Sequence, residues 1–93
     1  MMTLDAMLDI PTYVMFTRVD DAAILLNTRT NKYFVLEEVG ARLWELLNSG
    51  NGLRPSYETL LNEYEVEPAR LEQDVLELLS KLTENELVEV VAG

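Results

Sequence analysis

The side chains best suited to chemistry in this 93-residue chain are carboxylates. Glu37 and Glu38 are adjacent, and Glu63, Glu65 and Glu67 alternate, so binding of a hard cation is the first chemistry to weigh. Neither group has the regular oxygen-ligand spacing and turn glycine of a calcium loop, and both read as solvated acidic surface. Gly50-Asn51-Gly52 lacks the following Gly-Lys-Ser/Thr of a phosphate loop and reads as a flexible connector. Ser56 and Tyr57 have no neighbouring base to activate a nucleophile. Histidine and cysteine are both absent, which removes the usual general base, the commonest metal ligand, thiolate sites and disulfides. The expectation is a binding protein, not an enzyme, with no metal and no cofactor.

Charge narrows the partner. The formal net charge is −10, which opposes binding to a phosphate backbone. The acidity is uneven: residues 1–36 carry four acids against three bases, whereas residues 37–93 carry 13 acids against four bases. The second half therefore presents solvated helix faces. A hydrophobic content of 48% suffices for one core in one domain. No stretch approaches the roughly 20 apolar residues needed to span a bilayer. Near the start, Met7, Leu8 and Ile10 are interrupted by Asp5, Asp9 and Pro11, so neither an anchor nor a secretory signal is expected. Without cysteine the simplest home is a reducing cytoplasm.

The elements that must position a binding surface follow from periodicity. Residues 1–12 show no sustained period and read as a flexible arm, with the domain proper over 13–91. Tyr13–Val19 is rich in β-branched and aromatic residues and reads as a first strand, Asp20-Asp21 as a turn, Ala22–Asn27 as a second strand, Thr28–Asn31 as a turn and Lys32–Leu36 as a third strand. Short turns imply an antiparallel meander. After Leu36 the period changes to about 3.6 residues. Val39, Leu43, Leu46 and Leu47 then share one face of a helix from about Glu37 to Asn48, with Trp44 at its flank. Ser49–Gly52 ends it. A second helix runs from about Pro55 to Tyr64, and a third from Pro68 to about Asn85 with Leu71, Val75, Leu78, Leu79 and Leu82 as its apolar stripe. Leu87–Val91 is either a last short strand or an extended tail covering the core. The order is that of an α+β fold.

In a meander of order 1-2-3 the third strand lies at an edge with unpaired N–H and C=O groups. Tyr33-Phe34-Val35-Leu36 is apolar throughout and guarded only by Lys32. Either this strand is internal or covered by the last strand, or one face packs on the helices while a partner strand pairs with the edge, as in β-strand addition.

The run Leu25-Leu26-Asn27, then Asn31–Leu36, Val39-Gly40, Leu43–Leu47 and Gly50, resembles the signature of PqqD-like proteins, the recognition elements of pathways that modify ribosomally made peptides. Tyr57–Leu61, Tyr64-Glu65-Val66, Leu71–Val75, Leu78-Leu79, Leu82 and Leu87-Val88 continue the resemblance over roughly residues 13–91. Chains of this size look like the stand-alone leader-binding half of a split lasso-peptide B protein. The resemblance implies a winged-helix-like fold, a three-stranded antiparallel sheet followed by three helices. It also implies that a precursor's leader adds as a strand in the groove between the third strand and the third helix. It assigns peptide binding to Lys32, Tyr33, Phe34, Val35 and Leu36 on the strand, and to Arg70, Leu71, Asp74, Val75 and Leu78 on the helix. The implied partners are the leader peptide, a leader peptidase and a macrocyclase of the same pathway, with no nucleic acid and no membrane.

Two other classes fit the same elements less well. A nucleic-acid-binding winged helix needs a basic recognition helix, yet the third helix carries Glu72, Asp74, Glu77 and Glu84 against Arg70 and Lys81. A structural protein whose edge strand closes on a copy of itself would show a concentration-dependent dimer and no affinity for leader peptides.

Overall fold

The computed structural model describes residues 2–92, with the backbone alone for Ala92. Five strands and three helices follow one another as β1 (Met7–Asp9), β2 (Val14–Val19), β3 (Ala22–Asn27), β4 (Lys32–Glu37), α1 (Glu38–Asn48), α2 (Leu53–Glu63), α3 (Pro68–Glu84) and β5 (Glu89–Ala92). The antiparallel sheet β2-β3-β4 and the three helices match the expected α+β arrangement, and a second, two-stranded sheet pairs β1 with β5.

Alternation explains the central strand. Ala23, Leu25 and Asn27 of β3 are fully buried, while Ala22, Ile24 and Leu26 on the opposite face are half-buried. The turns on either side are entered by Asp20 (φ 53°) and Asn31 (φ 64°), residue types that tolerate the left-handed region. Glu38 also takes a positive φ, 50°, where β4 turns directly into α1, and its N–H donates to the Asp21 carbonyl at 3.1 Å. The short junction sets α1 immediately beneath the sheet, with Ala41, Leu43, Trp44 and Leu46 buried. Trp44 is 1% exposed and meets the Phe16 ring edge-on, with centroids 6.2 Å apart. Its Nε1 has no hydrogen-bond partner among the described residues.

α2 begins at Leu53, two residues before Pro55, because Leu53 is itself a buried anchor. Tyr57 and Leu60 carry its buried face, and the Tyr57 hydroxyl donates to the Pro68 carbonyl at 2.8 Å, tying α2 to the start of α3. Arg42 on α1 forks onto Glu63 at the end of α2, with Nε–Oε1 and Nη2–Oε2 distances of 2.9 and 2.8 Å. In α3 Leu71, Val75, Leu79 and Leu82 turn to the core, each worth about 1.5–3 kcal/mol of burial, whereas Leu78 is only half-buried.

The N-terminal end of the chain differs from the sequence expectation, and the C-terminal end forms the short strand that was one of its two alternatives. The segment read as a flexible arm is built into the fold over its described residues: Leu4 and Ala6 are 3% and 5% exposed, and β1 pairs with β5 through Leu8↔Val90 and Asp9↔Glu89. Asp5 also accepts from Arg54 Nε at 2.8 Å. Met1 lies outside the described residues. At the other end Leu87 and Val88 enter the core before β5, so the last strand closes on β1 and leaves β4 uncovered.

Candidate functional site

The hydrogen-bond parity of the sheet decides what the β4 edge offers. Thr28 N–H donates to the Tyr13 carbonyl, and Glu38 N–H to the Asp21 carbonyl. Each bond marks a hydrogen-bonded pair, and such pairs recur at every second residue of an antiparallel ladder. With Ala23↔Leu36, Leu25↔Phe34 and Asn27↔Lys32 in register, the N–H and C=O groups of Lys32, Phe34 and Leu36 face β3. Those of Tyr33, Val35 and Glu37 face outward, unpaired in the sheet. Three alternate residues thus present donors and acceptors to an incoming strand.

Side chains sort the same residues by face. Phe34 and Leu36 are half-buried toward the helices, while Tyr33 and Val35 are 69% and 59% exposed on the opposite face. Between α1 and α3, at the end of β4 where Leu36 nears Gly40, lies a cleft of about 440 Å³ lined by Val39, Gly40 and Leu43 of α1, by Val66, and by Arg70, Leu71, Asp74, Val75 and Leu78 of α3; none of Lys32, Tyr33, Phe34, Val35 and Leu36 lines it. All five helix residues assigned from sequence line it, with Arg70 and Asp74 at its rim. That pair is loose, 3.9 Å apart and largely exposed, and is worth about 0–1 kcal/mol. The wall is otherwise apolar.

Gly40 is the joint between strand and helix. A Cβ placed there would lie 3.4 Å from Leu78 Cδ2 and 3.8 Å from Leu36 Cβ, within ordinary contact, so the glycine leaves open a space at the joint that a larger side chain would fill. Asn27 fixes the far end. Its fully buried side chain donates to the Asn85 and Glu86 carbonyls at 3.0 and 3.3 Å, and its Oδ1 accepts from the Arg29 and Thr30 N–H groups at 3.0 and 3.1 Å. One amide therefore ties the β3–β4 turn to the C-terminus of α3 and sets the spacing of the groove's two walls.

The contribution of α1 and of Val66 to the cleft was not assigned from sequence. Periodicity places Val39 and Leu43 on the apolar face of the first helix, and Gly40 carries a signal only in the family resemblance. Among the described residues no group of three or more acidic, histidine or cysteine side chains is placed to hold a metal ion. No helix is long and apolar enough to cross a membrane.

Comparison with known proteins agrees with this geometry. No curated protein matches the chain. A solved structure described as TbiB1 in complex with the TbiA(beta) leader peptide is similar over 90% of this chain and 98% of that one, with 33% identity and a TM-score of 0.84. A lasso peptide synthetase B1 complexed with the leader peptide is similar over 90% of this chain and 99% of that one, with 26% identity and a TM-score of 0.79. The family model for coenzyme PQQ synthesis protein D matches residues 22–88. That match spans most of the chain, including β3, β4 and all three helices, and the protein belongs to the PqqD family.

Proposed function

We propose that this protein is a non-catalytic recognition element that binds the leader of a lasso precursor peptide by β-strand addition to β4. The bound leader is then delivered, in the cytoplasm, to a leader peptidase and a macrocyclase. The observation that carries the reading is a free β4 edge that runs, at the Leu36–Gly40 joint, into an apolar cleft between α1 and α3. Pairing with Tyr33, Val35 and Glu37 supplies register, and alternate leader side chains entering the cleft supply discrimination. The two similar structures, each a complex with a leader peptide, support the class of ligand.

A disordered leader gives up chain entropy on binding, so the expected Kd is about 1 μM or tighter, equivalent to about 8 kcal/mol. Anisotropy titration of a labelled lasso-precursor leader tests this directly. Saturable one-to-one binding that is lost in Val35→Pro, with the circular dichroism spectrum retained, is the expected result. Undiminished affinity in that variant contradicts edge pairing.

A further inference from the structure

The carboxylates of Glu38, Glu65 and Glu67 take no part in backbone pairing at β4, yet the fold gathers them at one end of the groove. Val39 and Val66 line the cleft from α1 and from the α2–α3 loop, and their chain neighbours Glu38, Glu65 and Glu67 are exposed around it. Asp74 adds a fourth carboxylate from α3. Arg70 supplies the positive charge of the same wall, and its contact with Asp74 is loose, at 3.9 Å.

The chain's other arginines are engaged elsewhere. Arg18, Arg29, Arg42 and Arg54 pair with Glu45, Glu86, Glu63 and Asp5, and among the described residues Glu38, Glu65 and Glu67 form no ion pair. Four carboxylates against one guanidinium leave a net charge of −3 around the cleft. Two helix N-termini act in the opposite sense, because α1 begins at Glu38 and α3 at Pro68. Each is equivalent to about half a positive charge, so together they offset about one of the three. The cleft end therefore stays anionic. The start of β4 has the other sign: Lys32 is exposed and forms no ion pair among the described residues, and Arg29 lies in the turn before it. A strand laid along β4 runs from a cationic end to an anionic one.

We propose that Glu38, Glu65, Glu67 and Asp74 set leader specificity by charge. The leader carries lysine or arginine within about two residues of the apolar side chain that enters the α1–α3 cleft, and peptides with acidic residues there are rejected. The inference rests on the leader-binding reading and adds to it the charge of the ligand and the side chains that read it. A cation two residues from that anchor lies about 7 Å along the strand, inside the Debye length of about 8 Å at physiological salt. Each exposed pair contributes little, and the selection comes from several carboxylates acting on one cation and repelling an acid in its place.

The test uses one labelled lasso-precursor leader in two versions, with lysine or with glutamate flanking its apolar anchor, the residue whose alanine substitution weakens binding most. In anisotropy titrations at low ionic strength the lysine version is expected to bind about tenfold or more tightly than the glutamate version, with the ratio shrinking as salt is added. In a variant carrying Glu38→Gln, Glu65→Gln and Glu67→Gln the ratio is expected to fall to within about threefold. A control carrying Glu72→Gln, Glu77→Gln and Glu84→Gln removes the same charge from exposed positions of α3 that do not line the cleft, and is expected to keep the ratio. Equal affinity for the two versions, or tighter binding of the glutamate version, overturns the charge assignment and leaves leader recognition standing. An unchanged ratio in the first variant overturns it as well. So does an equal loss in both variants, because the field of the whole chain is then the cause. If neither version binds the unmodified protein, the leader-binding reading falls and the proposal with it.

Discussion

The three-stranded sheet has two free edges, and the cavities near them differ: a cleft walled by the N-terminal segment and the α1–α2 loop meets the β2 edge only at Val14, while the apolar α1–α3 cleft lies where β4 runs into α1. On the β2 side, Phe16 is packed against Trp44 and Arg18 reaches Glu45 of α1 at 3.5 Å, so the space beneath the edge is filled and its rim is charged. On the β4 side, Gly40 withholds a side chain and Leu78 stays half-buried, which leaves the cleft open between α1 and α3 at the end of the strand. Both edges have unpaired N–H and C=O groups on alternate residues. The difference teaches that backbone pairing alone does not make a recognition site. A pocket for the partner's side chains must lie beside the edge, and here it depends on one glycine and on the position of α3.

The most direct way to break this comparison is to damage the two edges equally. Val35→Pro and Arg18→Pro each remove an outward N–H without removing a donor used within the sheet, a substitution that edge strands tolerate. Val35→Pro should weaken leader binding by about 100-fold or more, the loss of edge bonds plus register, whereas Arg18→Pro should stay within about threefold. Equal losses in anisotropy titrations would show that the edges are equivalent. Filling the cleft sharpens the point. Gly40→Leu puts a side chain against Leu78 and Leu36 and should cost about tenfold in leader affinity by occupying an anchor pocket. Chemical denaturation should show little change in stability, because loss of a helix glycine offsets part of the overpacking.

Asn27→Ala acts on the distance between the walls. It strands two backbone carbonyls and two N–H groups, and should lower unfolding free energy by about 1–3 kcal/mol. Denaturant titration measures this, and a smaller loss in leader affinity should accompany it as the β3–β4 turn loosens from α3. The smallest effect is electrostatic. Hydrogen bonds from Arg54 to Asp5 and from Arg42 to Glu63 hold both carboxyls below their ordinary range. A carboxylate with a lowered folded pKa contributes stability above its unfolded value and loses it as the pH falls through the folded one. The melting temperature should therefore fall in acid, and Arg42→Met, which removes the cause of the lowered Glu63 carboxyl, should make that fall smaller. These pairs are exposed and lie away from the cleft, so leader affinity should not follow the same profile.

Much of this architecture was legible in the sequence, for local reasons. β2, β3 and β4 announce themselves through apolar, β-branched and aromatic runs bounded by Asp/Asn turns, and α3 through apolar residues three and four apart. The apolar β4 edge was visible as a run with a single lysine guard. What was hidden depends on contacts between distant parts of the chain. Met7–Asp9 is too short to show a period, and its partner Glu89–Ala92 lies about 80 residues away, so the N-terminal segment read as an arm although it closes the fold. Asn27 looks like an ordinary turn residue until its amide is seen to reach Asn85 and Glu86. Leu78 belongs to the apolar stripe of α3, and no periodicity distinguishes a side chain that faces a cleft from one that faces the core.

Residue-resolved amide exchange, with and without a lasso-precursor leader, tests the edge assignment most directly. Edge addition predicts that the amides of Tyr33, Val35 and Glu37 become protected by about tenfold or more when leader is bound, as new strand bonds form, while those of Phe16 and Arg18 on β2 do not change. Protection appearing on β2, or none on β4 at saturating leader, would contradict it.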